Sequence, residues 1–290
     1  MIELKGAGVA IITPFNKNKD VDFPALGKLI DFIIDGGVKY IVTLGTTGET
    51  PVLTREEKVA IIHFTYEKVN SRVPIIVGIG GNDTSGVIED IKTFPLEGAV
   101  AILSASPSYN KPSQEGIYEH YKAIAQHSPK PIILYNVPGR TGRNISAATT
   151  IRLAEDVANI IGIKEASGDM AQCMEILKNK PKDFWVVSGD DSLALPQIAC
   201  GMDGVISVAA NAFPKDFSSM VHYCLQHDFK NAKILNDKLI PAFQLMFEEN
   251  NPAGVKAFLA EMKFIENELR LPLVTLSAGL HDKVKKYLAL

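Results

Sequence analysis

The sequence predicts a parallel (β/α)8 barrel, an α/β fold of the TIM type, followed by a C-terminal helical extension. Short runs rich in Val and Ile alternate about eight times with longer amphipathic segments, a pattern typical of parallel strands joined by crossover helices. The eight units span roughly 210 residues, which is close to the usual size of such a barrel. After Phe213 the strand pattern stops and only helical patterns follow.

Each predicted strand is short, apolar and followed by small or polar residues. The eight strands are predicted at residues 8–15, 40–45, 74–79, 100–106, 131–137, 160–166, 184–189 and 204–209. Helical patterns lie between them, for example over residues 54–70, where Thr54 and Glu57 form a capping box. One face of that helix is apolar and is expected to pack on the core, with Val59, Ile62, Tyr66 and Val69.

The chain is expected to divide into a catalytic barrel over residues 1–225 and a helical region over residues 226–290. Helical patterns after the last strand cover residues 216–226, 231–247, 253–268 and 281–288. This is more helix than an eighth unit needs, so the extension is expected to pack on the barrel. A doubly wound open sheet is the alternative, but it would usually need fewer strands and a nucleotide-binding loop.

Composition describes an ordinary globular protein, with 290 residues, 46% hydrophobic and 22% charged. A net charge of -3 without runs of Lys or Arg gives no footprint for nucleic acid or for a membrane surface. The three cysteines are widely spaced and the six histidines lack metal-ligand spacing, so neither a disulfide framework nor a metal site is expected. No apolar segment approaches bilayer length, and the cytoplasm is the expected location.

Lys164 stands inside an apolar, strand-like run at residues 159–167. Burial of a cation costs several kcal/mol unless it is paired or neutralised. One interpretation places Lys164 at a frayed strand end, where its stem reaches water and its ammonium pairs with Glu165 or another carboxylate. The other makes Lys164 a neutral amine that forms a Schiff base with a carbonyl substrate, because burial favours the uncharged form. The residues of this run leave both interpretations open.

The carboxyl ends of barrel strands face one mouth, so the residues that end the predicted strands become candidates together. Residues 45–49, Gly-Thr-Thr-Gly-Glu, end the second strand, Tyr109 follows the fourth, and Tyr135 and Arg140 lie at the end of the fifth. Taken singly, each has an ordinary interpretation. The glycine turn lacks the Lys of a P-loop, a lone Tyr usually packs in the core, and an Arg commonly forms a surface salt bridge.

The combination is more specific than its parts and resembles the dihydrodipicolinate synthase family. This family lies within the pyruvate-dependent class I aldolases and lyases that include N-acetylneuraminate lyase. The resemblance covers nearly the whole chain. Its most telling stretches are residues 45–49, 109–112, 135–142, 162–166 and 188–191.

The resemblance implies condensation of pyruvate with L-aspartate 4-semialdehyde, an early step of lysine and diaminopimelate biosynthesis that needs no cofactor. Lys164 would form the imine with pyruvate, and its positive charge would let a methyl proton leave. Tyr135 would relay protons during imine formation and cyclisation. Thr46 and Tyr109 would complete a chain of hydroxyl groups to solvent.

The resemblance also implies the residues that bind substrate. Thr47 would hold the pyruvate carboxylate, and Gly189 and Ile206 would contact the keto acid through the backbone. Arg140 would bind the carboxylate of the semialdehyde, because a guanidinium fork suits that group. The sugar-acid lyases generally lack an Arg there, which favours the synthase over an aldolase for N-acetylneuraminate or 2-keto-3-deoxygluconate. A non-catalytic barrel is the remaining alternative.

The sequence departs from the family at the site where many members bind the inhibitor lysine, in a cleft between two subunits. The family commonly has a Tyr, a His and a Glu in that cleft, whereas this chain has Ser108, Arg55 with Lys58, and Gly86. A cationic ligand would meet two cations and lack its carboxylate, so we expect lysine to inhibit weakly or not at all. A second departure is Pro95, which interrupts the third predicted helix and has no assigned role.

The family is usually oligomeric, often as a dimer of dimers. Its members place the Tyr that corresponds to Tyr109 in the active site of the neighbouring subunit. The resemblance therefore implies a homo-oligomer, either a homotetramer or a dimer, in which subunit contact completes the proton relay.

Overall fold

Eight parallel strands close into a barrel in the computed structural model, which describes residues 5–289. The strands are β1 (Gly6–Ala10), β2 (Tyr40–Thr43), β3 (Ile75–Gly78), β4 (Ala101–Ala105), β5 (Ile132–Asn136), β6 (Ile160–Glu165), β7 (Trp185–Ser188) and β8 (Gly204–Ser207). Each strand pairs with its neighbours along the chain, and β8 pairs with β1. The predicted fold class is confirmed.

Seven of the eight strands begin and end within two residues of their predicted positions. The exception is β1, which begins two residues earlier than predicted and ends at Ala10, although the apolar run continues to Phe15. Beyond the strand, the backbone N–H of Ile12 donates to the side-chain oxygen of Asn211 at 3.1 Å. A long-range side-chain contact therefore takes the place of strand pairing.

Helices surround the barrel and continue after its last strand. Those between the strands are α1 (Phe23–Asp35), α2 (Arg55–Val69), α3 (Thr84–Thr93), α4 (Gln114–His127), α5 (Pro138–Thr141), α6 (Ala147–Asp156), α7 (Met170–Asn179) and α8 (Ala194–Ala199). After β8 follow α9 (Pro214–Leu225), α10 (Phe229–Phe247), α11 (Ala253–Glu261) and α12 (Ala278–Leu288). Within residues 5–289, no helix combines the length and the apolar character needed to cross a bilayer.

Local sequence explains several helix ends. The predicted capping box begins α2, where the Thr54 hydroxyl accepts from the backbone N–H of Glu57 and the Glu57 carboxylate accepts from that of Thr54. Helix α3 ends at Thr93, two residues before Pro95, as the restricted backbone around proline requires.

Packed side chains fill the lower part of the barrel. The ring of Tyr40 is fully buried there and lies opposite Gly8 on β1. A Cβ atom on Gly8 would lie only 2.1 Å from the Tyr40 ring, so this position requires glycine. Because the interior is closed at this level, a substrate can enter only from the mouth at the carboxyl ends of the strands.

The C-terminal region packs through α10 on α9, and α12 contacts both α10 and α11. The predicted helix over residues 253–268 is wrong in its second half, because α11 ends at Glu261. Lys263 adopts a left-handed conformation (φ 63°), and the N–H of Phe264 donates to the carbonyl of Leu259, a Schellman-type helix ending. The division of the chain at residue 225 stays a prediction.

Candidate active site

A cavity of about 480 Å³ opens at the carboxyl ends of β2 to β5. The second-strand turn contributes Thr46 to its wall, and β5 and the helix that follows contribute Tyr135 and Arg140. These three residues are separated by up to 94 positions in the sequence, yet the barrel brings them to one mouth. The location agrees with the general position of active sites in this fold.

Lys164 lies on β6 beside this cavity, with only 4% of its surface exposed. It is in register with Tyr135 on β5, and its Nζ atom lies 4.5 Å from the centre of the Tyr135 ring. None of the ion pairs found within residues 5–289 includes Lys164. An amine that is buried without a carboxylate partner is placed to act as a nucleophile.

Glu165 does not pair with Lys164, because successive strand residues point to opposite faces. Its carboxylate accepts from the side-chain amide of Asn136 at 2.9 and 3.1 Å, from the N–H of Ser167 at 2.7 Å and from the Gln172 amide at 3.0 Å. These neutral donors satisfy the buried carboxylate. The interpretation in which Lys164 pairs with Glu165 is therefore wrong.

Gly189 directly follows β7 and borders Lys164, whereas Ile206 lies on β8. A Cβ atom on Gly189 would lie 2.9 Å from Cε of Lys164 and 2.6 Å from Cβ of Ala166, so glycine leaves room for the lysine side chain. Ile206 is buried in the barrel interior, in the same cluster as Tyr135. Gly189 therefore lies beside the Lys164 side chain, and the roles of both residues toward the keto acid stay predictions.

The turn after β2 places Thr46 and Thr47 at the mouth. Residues Thr46–Gly48 form one turn of 3₁₀ helix, flanked by Leu44 (φ 56°) and Glu49 (φ 54°). Left-handed backbone is disfavoured for residues other than glycine. Two such residues therefore indicate that the turn is held in a special conformation by its surroundings.

Asn251, which the sequence did not indicate, connects two of the predicted substrate-binding residues. It lies buried between α10 and α11. Its side-chain amide donates to the Thr47 hydroxyl at 3.2 Å, and its backbone carbonyl accepts from the Arg140 guanidinium at 3.2 Å. Because the oxygen of Thr47 already accepts a hydrogen bond, its proton is free to donate to a ligand.

Asp191 connects the loops after β7 and β8. Its buried carboxylate accepts from the N–H groups of Val208 and Ala209 at 3.1 and 2.7 Å. Burial raises the pKa of Asp191 to about 6, although these hydrogen bonds oppose the shift. The contact fixes the chain that directly follows Ile206.

Tyr109 is the one predicted catalytic residue that the structure does not bring to the cavity of the same chain. Its side chain is 89% exposed, and its backbone is left-handed (φ 71°). The preceding residue, Ser108, does line the cavity. A role for Tyr109 in the active site of another subunit stays a prediction.

The far end of the cavity is lined by charged residues. Lys58 and Asp90 both contribute to this wall. Arg55 lies next to it, where its guanidinium pairs with Asp90 at 2.7 Å and lies 5.1 Å from the centre of the Phe94 ring. The carboxylate at this end therefore already has a cationic partner from the same chain.

A buried lysine at the mouth of a (β/α)8 barrel, beside a tyrosine and a hydroxyl-bearing turn, is the arrangement of a Schiff-base-forming lyase of the class I aldolase type. The Dihydrodipicolinate synthetase family matches residues 3–290 of the sequence. The chain belongs to this family.

Curated relatives cover the chain almost completely. The 4-hydroxy-tetrahydrodipicolinate synthase of Parabacteroides distasonis is 52% identical over 287 residues, which are 99% of this chain and 97% of the relative.

Solved structures are similarly close. The chloride-inhibited dihydrodipicolinate synthase of Acinetobacter baumannii, complexed with pyruvate, superposes with a TM-score of 0.96 at 42% identity and covers 99% of this chain and 98% of its own. The enzyme of Cyanidioschyzon merolae with lysine bound has a TM-score of 0.94 at 33% identity, with 98% and 97% covered.

Proposed function

We propose that this protein condenses pyruvate with L-aspartate 4-semialdehyde, as a 4-hydroxy-tetrahydrodipicolinate synthase of lysine and diaminopimelate biosynthesis. The observation that carries this proposal is the buried Lys164 amine, which has Tyr135 as its neighbour and no carboxylate partner within residues 5–289. Family membership and the pyruvate complex of a relative support the same activity.

The reaction begins when Nζ of Lys164 attacks the keto carbon of pyruvate. Loss of water gives an iminium ion, which accepts the electron pair of a C–H bond as a methyl proton leaves. The resulting enamine carbon attacks the aldehyde carbon of the semialdehyde, whose oxygen takes up a proton. The amino group of the semialdehyde then attacks the imine carbon, closes the ring and releases Lys164.

Tyr135 is the proton carrier in these reaction steps. Its ring lies 4.5 Å from Nζ of Lys164, so its hydroxyl belongs to the same part of the mouth as the reacting carbon. Thr46 lines the same cavity and can pass the proton on. Thr47 binds the pyruvate carboxylate with a hydroxyl whose oxygen is already held by Asn251.

Two experiments test the proposed function. Incubation with pyruvate and sodium borohydride is expected to give one reduced adduct on Lys164, detected by intact mass and peptide mapping. A substrate panel is expected to show turnover of pyruvate with aspartate semialdehyde, and none of N-acetylneuraminate or 2-keto-3-deoxygluconate. A protein without an adduct would have no Schiff-base chemistry, and turnover of a sugar acid alone would place it among the sugar-acid aldolases.

Arg140→Ala is expected to lower kcat/KM for the semialdehyde at least about tenfold, because a charge-assisted hydrogen bond contributes about 1.5–3 kcal/mol. Trapping of pyruvate on Lys164 should remain, since Arg140 serves the second substrate. Steady-state kinetics with each substrate varied in turn measure the effect. Arg143→Ala is the matched control, because its guanidinium donates to the backbone of Lys111. An unchanged kcat/KM for the semialdehyde in Arg140→Ala would contradict the assigned role.

L-Lysine is expected to inhibit this protein weakly or not at all. Arg55 and Lys58 place two cations near the far end of the cavity, and Asp90 is already paired with Arg55. A cationic ligand there meets repulsion without an available carboxylate. A lysine titration at subsaturating pyruvate measures this, and half-maximal inhibition below about 1 mM, an affinity of roughly 4 kcal/mol, would contradict it.

We further propose a homo-oligomer, either a dimer or a tetramer. The exposure of Tyr109, a residue of the implied proton relay, supports this assembly. Sedimentation velocity of the purified protein tests it, and a monomer with full activity would exclude a relay that needs a second subunit.

A further inference from the structure

A buried ion pair joins the C-terminal region to the turn after β2. Lys256 on α11 pairs with Glu49, and both side chains are 0% exposed. The second carboxylate oxygen of Glu49 accepts from the backbone N–H of Arg270 at 3.2 Å, and Nζ of Lys256 also donates to the carbonyl of Glu268 at 3.0 Å. The ring of Phe15 lies on a further side of the ammonium, with its centre 4.2 Å from Nζ.

This pair needs an explanation other than stability. Removing two charges from water costs about as much as their attraction returns, so well-packed apolar residues would usually be equally stable. Burial lowers the pKa of Lys256, and the attraction of Glu49 opposes that shift. A costly pair with several matched hydrogen bonds is better suited to fixing geometry than to raising stability.

The geometry that it fixes is that of the turn carrying Thr46 and Thr47. Glu49 ends this turn with a left-handed backbone (φ 54°, ψ 33°), and its N–H donates to the carbonyl of Thr46 at 3.1 Å. A residue with a side chain keeps this conformation only where its surroundings hold it. The contacts of the Glu49 carboxylate come from Lys256 and Arg270, both in the C-terminal region.

We infer that Lys256 is a positioning residue for the keto acid: through Glu49 it holds the turn in the form in which Thr46 and Thr47 face pyruvate. The inference rests on the proposed function, which assigns pyruvate binding to this turn. Lys256 itself is sealed from the cavity and does not touch substrate. Its loss should therefore affect binding and reaction of pyruvate and spare the semialdehyde site at Arg140.

Glu49→Gln is the first test, because it keeps the side-chain volume and Lys256 can become neutral beside the amide. The KM for pyruvate is expected to rise at least about tenfold, while the KM for the semialdehyde changes by less than about twofold. Lys256→Met should show the same split. Lys238→Met is the matched control, since this lysine of the C-terminal region forms a surface ion pair with Asp216 on α9, and both KM values should stay unchanged.

The double variant Glu49→Gln/Lys256→Met distinguishes two roles of the pair: positioning the turn and balancing a buried charge. It leaves no unpaired buried charge, so it is expected to fold even where Lys256→Met does not. A pyruvate KM that stays raised in the folded double variant supports positioning. Recovery of the wild-type KM would show that the pair serves only charge balance and would overturn the inference. If the double variant fails to fold, Glu49→Gln decides the question alone.

Trapping of pyruvate by the wild-type protein distinguishes the two possible failures. Absence of a reduced adduct in the wild-type protein would overturn the proposed function itself. A wild-type adduct, combined with an unchanged pyruvate KM in Glu49→Gln, would overturn only the role of Lys256.

Discussion

Replacing Lys164 by alanine is expected to abolish the borohydride-trapped pyruvate adduct and to lower kcat/KM at least about a thousandfold. The reason is that the covalent intermediate, and with it the electron sink for the methyl proton, cannot form without this amine. Intact-mass spectrometry and steady-state kinetics measure the two effects. Lys178→Ala is the control, because that lysine is exposed at the end of α7, the helix that follows β6.

An adduct that persists in Lys164→Ala would contradict the assignment and would place the nucleophile elsewhere. Lys256 is the other buried lysine within residues 5–289, and it is paired with Glu49. Peptide mapping of the adduct therefore distinguishes the two buried amines directly.

Tyr135→Phe is expected to lower kcat by about a hundredfold or more, since a positioned proton donor contributes about 10²–10⁴. The ring should keep its place in the interior cluster, so the fold and the thermal midpoint should change little. The pyruvate adduct should still form, but more slowly, which rapid-quench trapping measures.

Tyr121→Phe provides the matched control for the loss of a buried tyrosine hydroxyl. Tyr121 is buried as well, and its hydroxyl donates to the carbonyl of Ser104 at 2.8 Å, outside the cavity. If Tyr135→Phe changes kcat as little as Tyr121→Phe does, Tyr135 is not part of the relay.

Local pattern was sufficient for most of the barrel, because each strand is a short apolar run with polar residues at its end. It failed where a distant contact decides the backbone. The apolar run that begins with β1 continues to Phe15, yet Asn211 takes the N–H of Ile12 and the strand stops. Likewise, α11 ends before the left-handed Lys263, and neither glycine nor proline marks that point in the sequence.

The residues of the candidate site likewise fall into two groups: those that local sequence indicates and those that act through distant contacts. Lys164, Tyr135 and Thr46 stand in short motifs that can be recognised without their partners. The side chain of Asn251 contacts a residue 204 positions away, and that of Lys256 contacts one 207 positions away, so no local period reports either contact. One signal was present: Lys256 is a lone charge within an apolar run, Ala-Gly-Val-Lys-Ala-Phe-Leu.

The contacts of Asn251 and Lys256 with the turn after β2 can form only late in the synthesis of the chain. A ribosome completes Lys164 long before it makes the segment that contacts the turn after β2. A nascent or truncated chain that stops after α10 contains Lys164 but lacks Asn251 and Lys256, which contact the turn after β2. Attempts to shorten this protein to a minimal barrel should therefore yield a scaffold that lacks the means to hold pyruvate.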